Sequence, residues 1–190
     1  MKKIAIVSVV AALAAGAGLL AAHDPPDTAP KMPGPAPEHR WLQQGVGEWE
    51  SVSTMCAEPG KTPVESKGSE RVRAIGEFWI VGEGQATVFG MPFTTVITLG
   101  YDPEKKKFVG TWIDSVSPYL WHYEGTLDAT GRILTLETQG PRPDDPSQHT
   151  RYKEVTEYKS NDHRVFTSSI LGEDGMWTTL VTVDSRRRKP

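Results

Sequence analysis

The sequence predicts an all-β protein: an antiparallel up-and-down β-barrel of about ten strands, entered through a short N-terminal helical turn. Three observations predict it. Short runs rich in Thr, Val, Ile and aromatic residues recur at the spacing of roughly 8–12 residues expected of barrels and sandwiches, each closed by a turn signal. Beyond residue 49 no long stretch repeats with the period of a helix. The 18 Gly and 15 Pro supply many turns, and 37% hydrophobic residues suit thin sheets with one wet face better than a helical bundle.

The chain opens with Met1-Lys2-Lys3, then runs from Ile4 to Leu20 without a charge, as a secretory signal does. Cleavage is expected after Ala17 or Ala22, and residues 1–22 are assigned to the signal. The apolar run is at the low end of the roughly 17–25 residues that span a bilayer, which favours cleavage over an uncleaved anchor. The expectation is an exported protein, periplasmic or extracellular, with no stable membrane span after cleavage. Residues 23–37, HDPPDTAPKMPGPAP, hold six prolines and almost no apolar side chain, and read as a semi-rigid linker. Cleavage after Ala22 would make His23 the new N-terminus. A terminal His chelates copper through its amine and ring, but the linker offers no further ligands, so no metal site is expected. Cys56 is the single cysteine and excludes an internal disulfide. With no adjacent His or basic cluster to lower its pKa, it reads as a small hydrophobe rather than a reactive thiol. The net charge of −3 gives no indication of nucleic-acid binding.

The barrel domain is assigned to residues 38–187. Near its start, Trp41 and Leu42 lie on a single helical turn placed to plug one barrel end. Turn signals then follow at 58–63, 89–92, 101–106, 127–132, 159–164 and 171–176, each with Asp, Asn, Gly or Pro where a tight turn uses side-chain capping or positive φ. Between them lie FTTVITLGY, KFVGTWIDS, YLWHYEGTL, RILTLETQG, YKEVTEYK, RVFTSSIL and MWTTLVTV, with two or three more strands between residues 47 and 88. Short connections imply antiparallel neighbours, and closure removes the exposed edges. The three-proline stretch 138–150, TQGPRPDDPSQHT, reads as a long loop at one rim.

Gly47-x-Trp49, after the helical turn and at the head of the first strand, resembles the lipocalin and calycin pattern. That resemblance implies that Trp49 closes one barrel end and that an Arg from the last strand lies over its ring. Arg186, Arg187 and Arg188 are the candidates, in VDSRRRKP. Alternation does not choose among them, and Arg186 is assigned as the closure residue. The segments PGPAPEHRWLQQGVGEWE, LGYDPEKKKFVGTWIDS, YEGTLD and DHRVFTSS resemble a bacterial family of uncharacterised domains predicted to be lipocalin-like, over residues 32–187. The resemblance implies the fold and no activity.

Strand alternation locates the chemistry. Phe108, Gly110, Trp112 and Asp114 share one face, expected inside. Trp121, Tyr123 and Leu127 share another, which leaves His122 and Glu124 outside. On RVFTSSIL either face can point inward. The candidate ligand site is Trp112, Asp114, Trp121 and Tyr123, with Asp114 orienting a polar group in an apolar cavity. The competing reading makes Asp114 the cap of the following turn. An enzyme would draw an acid–base group from Asp114, His122 and Glu124. No nucleophile elbow, zinc signature or phosphate loop accompanies them, and no cofactor is expected. A third reading is an envelope interaction module with an exposed patch from Trp79 or Trp177. The expectation is therefore an exported protein that holds a small, largely apolar molecule in a β-barrel. The sequence does not give its oligomeric state.

Overall fold

In the computed structural model, which describes residues 34–55 and 62–189, each strand pairs with its neighbours in sequence and the first pairs with the last. The predicted signal, most of the predicted linker and Cys56 lie outside the described residues. The elements are a helical turn α1 (Pro37–Gln43) and strands β1 (Gly47–Met55), β2 (Val64–Ile75), β3 (Trp79–Val88), β4 (Met91–Asp102) and β5 (Lys107–Asp114). They continue with β6 (Trp121–Leu127), β7 (Ile133–Pro141), β8 (His149–Ser160), β9 (His163–Leu171) and β10 (Trp177–Arg187). All ten strands are antiparallel to their neighbours, and the β1–β10 ladder from Trp49↔Arg187 to Met55↔Val181 closes the barrel. The fold is a ten-strand calycin-like barrel, as the sequence predicts.

The hairpins follow from local chemistry. Asp102 Oδ1 accepts the Glu104 and Lys105 N–H groups between β4 and β5. Asp128 Oδ1 accepts those of Arg132 and Ile133 between β6 and β7. Asp174 accepts Met176 N–H between β9 and β10. Between β3 and β4 only Phe89 and Gly90 intervene, at φ 50 and 76, as a primed two-residue hairpin requires. The rim segment is shorter than expected. β7 runs to Pro141 and β8 begins at His149, because Gly140↔Thr150 and Pro141↔His149 extend the ladder. Pro141 sits at the strand terminus, where its missing N–H is tolerated. Tyr152 Oη donates to its carbonyl oxygen.

One end of the barrel is plugged. α1 begins at Pro37, and His39 caps it: its Nδ1 accepts the Ala36 N–H at 2.9 Å. Because Nδ1 accepts there, Nε2 carries the proton and donates to Tyr101 O at 3.0 Å. Leu42 is buried beneath the turn. The Trp41 indole donates to Gly131 O and meets Phe108 and Tyr158 edge to face. With Trp49, Leu99, Leu134 and Leu136 these residues form the core, which continues along the barrel to Tyr123 and the partly buried Trp112 and Trp121.

Trp49 lies at the centre of that plug, 1% exposed, its Nε1 donating to Gly45 O. The closure arginine is Arg187, not Arg186. Arg187 pairs across from Trp49, and its guanidinium lies 4.3 Å from the ring centroid. Arg186 is one residue out of phase, points away from the lumen and pairs with Asp184. Arg187 also donates to Val46 O and Gln44 O, tying the helical turn to the last strand. Gly47 is required there: its φ is +135, and a Cβ would press on Arg187 Nη1. A second cation, Arg164 of β9, reaches the same indole at 4.3 Å and pairs with Glu70 of β2.

Candidate functional site

The other end of the barrel carries no helical plug among the described residues. Among the described residues its rim carries the turns at 89–90, 115–120, 142–148 and 172–176, and the inner wall beside it carries Phe93, Trp112, Trp121 and Phe166. All four rings point inward by register and remain partly exposed, whereas Trp49, Val72, Phe108, Leu134 and Tyr158 toward the plugged end are buried. Around the mouth stand Phe89, Met91, Val116, Leu120 and Met176, each exposed.

Trp112 and Trp121 face each other across the β5–β6 ladder. Trp121 continues into an edge-to-face cluster with Tyr119 and Tyr152 at centroid distances of 4.9 Å. It lies flat over Gly140, where any Cβ would collide with the ring. Asp114 turns inward beside Trp112. Its Oδ2 accepts the Trp112 indole N–H at 3.2 Å, and its Oδ1 accepts the Val116 and Ser117 N–H groups at 2.9 and 2.8 Å. Asp114 is thus both the turn cap and a carboxylate on the inner wall. Tyr123 is buried next to it, and burial, with the Glu154 and Asp114 carboxylates adding to it, drives its phenol well above its ordinary range. The four predicted ligand-site residues thus share one stretch of inner wall.

The predicted acid–base group does not assemble. Asp114 faces the lumen, while His122 and Glu124 face outward from β6, so the sheet itself separates them. Glu124 is instead held by Lys105 at 2.6 Å and Lys107 at 3.0 Å. The Lys105 hydrogen bond, then that of Lys107, bring its pKa down to about 2, so it stays ionised and carries no proton near neutral pH. His122 and Glu124 line a shallow outer groove of about 750 Å³ with Lys107, Glu137 and Arg151. Trp177 is on the outside too, covered by Lys153 at 4.5 Å and Arg151 at 5.9 Å. Trp79, 41% exposed, lies on the outer face over Gly100. The two tryptophans therefore do not form one patch.

The sequence reading missed Glu154. On β8, Tyr152, Glu154, Thr156 and Tyr158 share a face, and the tyrosines at its two ends turn that face inward, which is the signal that places the carboxylate inside. Ser168, opposite it on β9, donates to Oε1 at 3.0 Å, which fixes Phe166, Ser168 and Ile170 as the inner face of that strand. Oε2 and the neighbouring strand's Thr138 Oγ1 are buried and make no hydrogen bond to the protein. Burial raises the Glu154 pKa to about 7, against the opposing pull of the Ser168 hydrogen bond. Among the described residues no group of three His, Cys, Asp or Glu side chains is placed to hold a metal ion. No described helix is long and apolar enough to cross a membrane.

Residues 34–187 match the sequence pattern of a family described as "Protein of unknown function (DUF1579)". No curated protein matches the chain. Among solved structures the chain is similar to Rv2717c from M. tuberculosis, with a TM-score of 0.59 at 13% identity, over 81% of this chain and 99% of that one. It is also similar to the S-type phycobiliprotein lyase CPES from Guillardia theta, with a TM-score of 0.52 at 17% identity, over 80% of this chain and 93% of that one. At these identities the likeness is one of fold.

Proposed function

We propose, from the premise that this chain belongs to the DUF1579 family, whose function is unknown, that it is an exported carrier of a small, largely apolar molecule held in the open half of its barrel. One observation carries the reading: Phe93, Trp112, Trp121 and Phe166 face inward and are half-exposed, at the opposite end from a plug in which Trp49, Phe108 and Leu42 are almost wholly buried. A concave, mostly aromatic wall with a few convergent polar groups has the character of a small-molecule site. The apolar rim suits the same reading, since Phe89, Met91, Val116 and Met176 give an apolar molecule a surface to cross on entry. Export rests on the apolar, uncharged run from Ile4 to Leu20 behind two lysines.

The test is native mass spectrometry of the full chain from its own host, with thermal shift against a panel of apolar ligands. A molecule that co-purifies unchanged, raises the melting temperature and is lost on Trp112→Ala supports a carrier. Loss of the signal peptide in the exported form would be read in the same spectrum. A chain that retains nothing and responds to no apolar ligand sinks the proposal.

A further inference from the structure

We propose that the molecule held in the open half is an organic cation, a protonated amine carried on an apolar body. The inference rests on the carrier reading and adds the charge of the ligand. Asp114 and Glu154 both face this half, from β5 and β8. The one cation beside the mouth with a largely covered side chain among the described residues, Arg142, is neutralised at the rim by Asp144 and Glu173. The inward cations toward the plug are engaged there: Arg164 with Glu70 and the Trp49 ring, Arg187 with Trp49, Asp162 and three backbone carbonyls.

Glu154 is the second, independent observation. It is 7% exposed, and its Oε2 and the Thr138 hydroxyl oxygen are buried without a protein partner. A carboxylate kept in a barrel wall with an open lone-pair set and no cation is costly unless something else supplies donors and positive charge. Aromatic faces from Trp112, Trp121 and Phe93 line the same half, and a cation gains from each ring it approaches. An anionic ligand would meet two carboxylates and, at the rim, only Arg142, which Asp144 and Glu173 already hold. The groups facing Glu154 are Ser168 from β9, Leu136 and Thr138 from β7, Tyr123 from β6 and, toward the mouth, Asp114; Glu70 and Arg164 lie deeper as a pair.

The experiment compares decylamine, decanol and decanoate, one chain length with three charges, by calorimetry on the full chain at pH 8. Decylamine is expected to bind about tenfold or more tighter than decanol, as one charge-assisted hydrogen bond contributes, with decanoate weakest. Glu154→Gln is expected to remove most of that advantage and leave decanol within about twofold. In the unmodified chain, decylamine affinity should rise from pH 5.5 to pH 8 while that of decanol stays flat. This second measurement needs no variant to fold. Decanoate binding as well as decylamine, or an amine advantage untouched by both Glu154→Gln and pH, overturns the cation assignment and leaves the carrier reading standing. Failure of all three probes to bind overturns both.

Discussion

Arg187 stands directly across the β1–β10 ladder from Trp49, with its guanidinium carbon 4.3 Å from the indole centroid. The same guanidinium holds Gln44 O and Val46 O at 2.7 Å. One side chain therefore joins the first strand, the last strand and the segment that leads in from the helical plug. Arg187→Ala removes the cation–π contact and leaves those carbonyls short of a donor. It should destabilise the barrel by about 2–4 kcal/mol. Thermal denaturation followed by tryptophan fluorescence should show a fall of roughly 5–12 °C. Arg186→Ala, on an exposed side chain, should change stability by no more than about 0.5 kcal/mol. Equal effects of the two would remove Arg187 from its place in the closure.

Glu154 should make stability depend on pH in the sense opposite to a salt-bridged carboxylate. Its folded pKa, about 7, lies above the ordinary 4.5 of an unfolded glutamate. Its favourable contribution is therefore fully present below about pH 4.5 and is lost as pH rises through 7. The loss amounts to about 3 kcal/mol at most. Urea denaturation across that window should show the decline in the unmodified protein and a flatter profile in Glu154→Gln. An identical profile in the two would show that Glu154 is not desolvated.

Asp114→Ala should cost about 1–2 kcal/mol, because the turn at 115–117 loses the acceptor for two backbone N–H groups and the Trp112 indole loses its own. A red-shifted tryptophan emission should accompany it. His122→Ala, on the outer face, should leave both stability and ligand binding within experimental scatter. A His122 variant that abolished binding would place the ligand in the outer groove instead.

Gly140→Ala should cost about 1–3 kcal/mol, since the new methyl meets the Trp121 ring and must displace it from Tyr119 and Tyr152. Near-ultraviolet circular dichroism should lose intensity as the aromatic cluster loosens. An unaltered spectrum with unaltered stability would mean that Trp121 does not rest on that glycine.

Much of the site was legible in the sequence because strand alternation is a strict period of two. Once Phe108 and Trp112 are set inside, Asp114 follows them, and once Trp121 and Tyr123 are inside, His122 and Glu124 are outside. The same rule read on YKEVTEYK would have placed Glu154 inside beside Tyr152. What no local pattern offered was its partner. Ser168 lies on a strand whose two faces are alike in apolarity, so only its pairing with β8 orients it. The length of β7 was also hidden, because the prolines at 141, 143 and 146 masked a ladder that runs on to Pro141.

The sequence by itself determined the architecture of this protein: its alternating runs, its Asx and glycine turns and its Gly-x-Trp opening each act over a few residues, where local sterics and hydrogen bonding suffice. The tertiary structure decided which arginine covers Trp49, which face of β9 turns inward, and that Glu154 is buried opposite Ser168 with no cation paired to it. Those are matters of register across the closure and of burial between strands far apart in the chain. Shifting any one of these strands by a single residue would reverse its two faces while leaving every local preference unchanged.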